Sequence, residues 1–265
     1  MEKSINGIKV RVVDGEWDVY FDMALKMLDE IMTNNALAKK TVMIVPVGPT
    51  QQYPILAKLV NQLNVSLKNV WFFNMDEYML DCNTCVDSND DLSFHKRMVN
   101  EFYSKVRAEL LMPEQQRLFP IPGKEKEYDK LIEELGGVDL CLGGLGINGH
   151  VAFNEPAEIG DSITVKEYAD LGTRVLPVSR ETQAINAYGY KRGDLRAMPT
   201  WCITVGMKQI LASRKIYIAL NRDWQHGIAK HVLNDKPQPQ IPATLLQGHP
   251  NVEFCTHKGI AENLF

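Results

Sequence analysis

No stretch of this chain reaches the roughly eighteen apolar residues that a bilayer-crossing helix needs, so nothing in it is expected to span a membrane. The opening Met1-Glu2-Lys3-Ser4-Ile5-Asn6-Gly7 has no apolar signal core, and the expected location is the cytoplasm. There is no dense Lys/Arg stripe, and a formal net charge of -4 argues against a general nucleic-acid binder. Internal repeats and low-complexity tracts are missing as well. Cysteine is sparse and odd in number, five residues at 82, 85, 141, 202 and 255, which fits a reducing compartment better than a disulfide framework. Cys82 and Cys85 form a lone C-x-x-C. It lacks the second pair of ligands that zinc requires, and it follows Asp81 in what reads as a loop rather than opening a helix as a redox pair does. Free thiols and no metal are expected.

What is present is an ordinary globular composition, 45% hydrophobic over 265 residues, long enough to bury about three quarters of its unfolded surface without staples. Its pattern alternates strand and helix. Strands are expected at 7–13, 41–47, 70–74, 138–142, 201–205, 216–220 and 252–255. Helical spacing runs through 17–32, 51–63, part of 93–111, 125–135, from 208, and near 225–233. Such alternation predicts a single-domain α/β fold over residues 1–265: a doubly wound, mainly parallel sheet with helices on both faces. Two stretches lack periodicity, 79–92 and 156–200, and read as elaborated, lid-like loops at the ligand edge. The proline-rich 236–242 reads as a rigid turn.

The densest chemistry lies in Leu142-Gly-Gly-Leu-Gly-Ile-Asn-Gly-His-Val-Ala-Phe-Asn-Glu-Pro156, which leaves a strand directly. Gly143, Gly144, Gly146 and Gly149 allow tight turns and close approach to a ligand. His150 and Glu155 can move or hold protons near neutral pH. A second strand, at Trp71-Phe-Phe-Asn-Met-Asp-Glu-Tyr78, also runs into acids and an aromatic ring. Parallel sheets bind ligands at the carboxyl ends of their strands, so the two segments predict one active site.

Asn74-Met-Asp-Glu-Tyr78, Gly144-x-Gly-x-Asn-Gly-His150 and Phe153-Asn-Glu-Pro156, in that order, resemble the glucosamine-6-phosphate deaminase family. The likeness extends across most of the chain, through Pro46-x-Gly48-x-Thr50, Ile203-Thr-Val-Gly206 and Gln247-Gly-His-Pro250. The resemblance implies a cofactor-free aldose–ketose isomerisation coupled to loss of ammonia, on a small-molecule sugar or sugar phosphate, in a homo-oligomer. It casts Asp76 as the base that moves a proton between adjacent carbons, with Glu77 beside it as the alternative acid. His150 becomes the ring-opening acid/base, oriented by Glu155 and Asn148, and Tyr78 a cover for the sugar. Gly48, Thr50, Gly144, Gly146 and Gly149 are the implied substrate-binding backbone.

The sequence departs from the family in four places. Asn148 stands where aspartate is frequent. Pro49 removes an N–H from the phosphate loop. Tyr188 falls where the family has an arginine. No lysine stands in Asn221–Gly227, where a phosphate lysine is expected. Arg222, His226, Lys191, Arg192 and Arg196 are the cations that could compensate; otherwise the substrate is a different sugar. The alternatives are a non-catalytic sugar sensor of the same fold, or a sugar-phosphate isomerase or lactonase.

Overall fold

The computed structural model describes residues 2–262 and 264. A hairpin opens the chain, β1 (Glu2–Ile5) and β2 (Ile8–Val13), turning through Asn6 and Gly7, both at positive φ as such a tight turn requires. The order continues with α1 (Glu16–Ala36), β3 (Thr41–Val45), α2 (Gln52–Leu63), β4 (Val70–Asn74), β5 (Asp76–Met79), α3 (Phe94–Met98), β6 (Arg117–Leu118), α4 (Glu125–Glu134) and β7 (Leu140–Gly144). It ends with α5 (Val165–Ala169), β8 (Arg174–Pro177), α6 (Arg180–Tyr190), β9 (Trp201–Thr204), α7 (Met207–Leu211), β10 (Lys215–Leu220), α8 (Gln225–Asn234), β11 (Val252–His257) and α9 (Lys258–Ala261).

The main sheet has eight strands in the order β1-β2-β11-β10-β7-β3-β4-β6, parallel except for the β1–β2 hairpin at one edge. Its strands read as apolar runs because both faces are buried. Met43 and Val45 of β3 enter one core while Val42 and Ile44 enter the other. Tyr217 and Ala219 of β10 divide from Ile216, Ile218 and Leu220 in the same way. Side chains that alternate between two apolar layers need helices on both faces, as the sequence predicted.

From β3 the chain steps outward to β4, then returns to lay β7 on the other side of β3 and continues to β10 and β11. The strand order therefore reverses between β3 and β7, and the loops leaving their carboxyl ends flank the crevice where open α/β sheets bind ligands. The two loops touch: a Cβ on Gly144 would stand 2.9 Å from the Gly48 carbonyl oxygen.

Two expectations need correction. The segment at 201–205 is a strand, but β9 belongs to a separate antiparallel sheet, β5-β9-β8, rather than to the parallel one. The stretch 156–200, read as irregular, holds α5, β8 and α6. Signals for the helices were present. Thr164 and Glu167 form a reciprocal capping box, and the Ser179 hydroxyl accepts from the Thr182 N–H. The prolines at 156, 177 and 199 obscured them, although all three lie outside the helices.

Candidate active site

A cleft of about 590 Å³ opens at the strand reversal, walled by the loops after β3, β7 and β10, the start of β5, and one face of α6. Asp76, His150, Gly48, Thr50, Gly144, Gly146, Tyr188 and Arg222 all line it. Glu77, Tyr78, Asn148, Gly149 and Glu155 lie outside this lining, and the reason differs for each.

Asp76 is the first residue of β5. The chain leaves β4 at Met75, whose N–H donates to the Val45 carbonyl while its own carbonyl accepts from the Val205 N–H. Asp76 is thus pinned at the junction of the two sheets, opposite Thr204. It is 6% exposed, and no hydrogen bond from a described residue reaches its carboxylate. Burial, with the neighbouring Glu77 charge in support, holds its pKa well above the ordinary carboxylate range. A desolvated carboxylate of raised basicity at the cleft wall is suited to taking a proton from carbon.

Glu77 points the other way, as the next residue of a strand must. It accepts from the backbone N–H groups of Tyr78, Phe94 and His95 at 2.9, 2.9 and 3.0 Å, and from the Ser93 hydroxyl. Its oxygens fasten the start of α3 to β5 and are directed away from the cleft lining. Tyr78 is wholly buried, its ring edge-on to Phe94 and its hydroxyl accepting from Asn186 at 2.7 Å. The aromatic wall of the cleft is Phe94 and Phe153, stacked at 6.0 Å.

His150 is held by a relay. The Asn148 side-chain N–H donates to Glu155 at 2.7 Å, and since a carboxylate only accepts, this fixes which way the amide faces. The amide oxygen then lies 2.8 Å from His150 Nδ1. Nδ1 therefore carries the proton and Nε2 is left free for the cleft. An aspartate at 148 would set two carboxylates against each other; the amide transmits orientation without that repulsion. Gly146 is required beside the ring, because a Cβ there would stand 2.2 Å from Nε2. Gly149, at φ 87°, packs behind the loop against Ile241 rather than facing the cleft.

Glu155 is itself clamped. The Ser179 N–H and Asn148 reach its two oxygens, and the Tyr168 hydroxyl caps its carbonyl at 2.6 Å. Asn154 beside it donates to the Val151 and Val205 carbonyls and accepts from Arg174 at 2.7 Å, stapling the loop to the second sheet. Arg174, Tyr168, Ser179 and Thr204, whose hydroxyl accepts from the Phe153 N–H at 2.9 Å, were not legible as site residues because they act on the loop through backbone and buried contacts. Burial raises the Glu155 pKa, but the His150 charge and the bonds from His150, Asn148 and Thr182 outweigh it and bring it to about 2. A folded pKa below the unfolded value means stability that is present above about pH 4.5 and lost as pH falls toward 2. Glu155→Gln is expected to melt below the parent at pH 7, with the gap closing as the pH is lowered through that window; a gap independent of pH in thermal melts would assign the loss to packing instead.

At the other end of the cleft, Pro46–Gln51 leads into α2, where the Tyr53 N–H is spent on the Thr50 carbonyl and Pro54 has no N–H to offer. Of the cations that could compensate for the missing arginine and lysine, only Arg222 lines the cleft, and it is shared with Glu16 at 3.9 Å. His226 is turned away, its Nδ1 on the Ile260 carbonyl. The cleft does contain one cation that the sequence did not single out, Arg97. Among the described residues no group of three or more His, Cys, Asp or Glu could hold a metal ion, and no helix is long and apolar enough to cross a membrane.

A scan against known family models finds no match. Individual relatives do match: a glucosamine-6-phosphate deaminase of Rhodopirellula baltica is 30% identical over 221 residues, covering 82% of this chain and 80% of its own. The chain belongs to the glucosamine-6-phosphate deaminase family. A solved monomeric glucosamine-6-phosphate deaminase superposes with a TM-score of 0.81 at 23% identity, over 96% of this chain and 98% of its own. The 6-phosphogluconolactonase of Thermotoga maritima superposes at 0.68 and 15% identity, over 94% and 99%. At these identities the two structures speak to the fold, which deaminase and lactonase share. Within that fold the deaminase family supplies the context for the Asp76–His150 cleft.

Proposed function

We propose that this protein converts an amino sugar to a ketose with release of ammonia, without a cofactor. The observation that carries the reading is the meeting, in one cleft, of a desolvated carboxylate and an imidazole whose Nε2 is held free. His150 passes a proton at the ring oxygen to open the sugar. Asp76 takes the proton from the carbon bearing nitrogen and returns it to the neighbouring aldehyde carbon through an enolamine, so that the aldehyde becomes an alcohol and the carbon bearing nitrogen becomes an imine. Water then displaces ammonia from the imine. Phe94 and Phe153 offer an apolar wall to the C–H face of the sugar.

The anion end of the cleft supports a narrower statement about the substrate. With Pro49 in the loop, Tyr188 80% exposed where a cation is expected, and Arg222 shared with Glu16, glucosamine 6-phosphate is expected to be a poor substrate. Its kcat/KM should lie at least about tenfold below that of another amino sugar, since roughly 1.4 kcal/mol of lost binding gives that factor. Ammonia release from a panel of amino sugars, with and without a 6-phosphate, tests both statements. Efficient turnover of glucosamine 6-phosphate, with its phosphate bound at Gly48–Thr50, would restore the ordinary substrate. Turnover of a sugar lactone in place of any amino sugar would move the assignment to the lactonases.

A further inference from the structure

We infer that Arg97, stacked on Tyr190, is the anion-reading residue of this cleft, so that the substrate carries an oxyanion recognised from α3. This deepens the deaminase reading and rests on it for the identity of the sugar. The guanidinium carbon of Arg97 lies 4.0 Å from the centre of the Tyr190 ring. One of its N–H groups donates to the Asp91 carbonyl at 3.2 Å. Among the described residues no carboxylate lies within 4.0 Å of it, whereas Arg222 faces Glu16. A guanidinium offers five donors in a planar fork, and here one donor and one face are spent on holding it in place. The remaining edge is free on a cleft wall.

The position matches the anion loop. The Tyr190 hydroxyl lies 3.8 Å from where a Cβ on Gly48 would stand, so the ring that carries Arg97 also borders Gly48-Pro49-Thr50. Arg97 and Tyr190 both line the cleft together with that loop. A fixed guanidinium fork with an unspent edge on a cleft wall is an arrangement that binds phosphate or carboxylate oxygens. The cation reaches the anion from α3, not from α6 or the loop after β10. A cation supplied from α3 is the basis on which an anionic amino sugar other than glucosamine 6-phosphate is accepted. A widened π-helical turn, Val99–Tyr103, follows α3 directly, and such turns recur beside binding sites.

Inorganic phosphate is the probe. Titrated into the intact protein, it should bind and raise the melting temperature. Arg97→Gln should weaken that binding at least tenfold, and Tyr190→Leu several-fold, while the exposed control Lys166→Gln stays within twofold of the parent. With an anionic amino sugar that the protein turns over, Arg97→Gln should raise KM at least tenfold and leave kcat within threefold; the KM of the unphosphorylated counterpart should not move. Failure of phosphate to bind the parent protein, unchanged binding in Arg97→Gln, or an equal loss on charged and uncharged sugars each overturns the assignment. Arg97-dependent phosphate binding without ammonia release from any amino sugar leaves the anion site standing and sinks the deaminase reading instead.

Discussion

Replacing Asp76 by asparagine is expected to abolish turnover and at the same time make the protein harder to unfold. The first effect follows from chemistry: an amide cannot accept a proton from carbon, and general bases commonly contribute 10²–10⁴-fold, so a loss of roughly a thousandfold or more in kcat is expected. The second follows from burial. The ionised Asp76 carboxylate is desolvated, sits next to Glu77 and has no hydrogen bond from a described residue, and its pKa is raised well above the usual value. A raised folded pKa means that the folded state binds the proton more tightly than the unfolded chain does, so at neutral pH the charge opposes folding, and the opposition fades as the pH falls below the folded pKa. Asp76→Asn removes it at every pH. Its melting temperature should exceed the parent's at pH 7, by about 2–4 °C for each kcal/mol relieved, and the two should converge in acid. The parent's kcat should also decline on the acid side at a pH above the ordinary carboxylate range, since the base must be ionised to act. A variant that keeps more than a tenth of the parent rate excludes Asp76 as the base; one that is inactive and less stable at pH 7 would show that the carboxylate is held by something other than the cleft described.

The sequence exposes this residue because Asn74-Met-Asp-Glu-Tyr78 follows a strand that is apolar on both faces, and such strands end at ligands. It does not expose what the next two residues do. Glu77 and Tyr78 are buried because β5 pairs with β9 in a second sheet, a contact between segments far apart in the chain that no local pattern announces. The parallel sheet was legible for the opposite reason. Each of its central strands is a continuous apolar run bounded by turn residues, and the intervening helices carry apolar residues at helical spacing. The relay of Asn148, Glu155 and His150 was legible from the motif, although the direction of the amide was not, since it is set by a carboxylate seven residues away. Arg97 escaped notice because its role depends on Tyr190, which reaches it only through the packing of α6 against α3.

His150→Gln is expected to separate the two halves of the reaction. Glutamine can occupy the pocket beside Gly146 and hydrogen-bond to Asn148, but it has no titrating group near neutral pH to pass a proton to and from the ring oxygen. Asp76 is untouched, on a different strand end. The rate on the cyclic sugar should therefore fall by roughly 10²–10⁴-fold, the usual worth of a positioned acid/base, while a substrate analogue fixed in the open-chain form should lose far less. The geometry makes the distinction sharp. The imidazole is fixed through Nδ1 by Asn148 at 2.8 Å and rests on Gly146, so Nε2 is held in one position in the cleft. Gly146→Ala serves as the second arm, because its Cβ would displace the ring by contact rather than remove it, and its losses should follow the same order, cyclic sugar above open chain. Equal losses on the two forms in both variants would mean that His150 serves the proton transfer between carbons, and the division of labour between Asp76 and His150 would have to be redrawn.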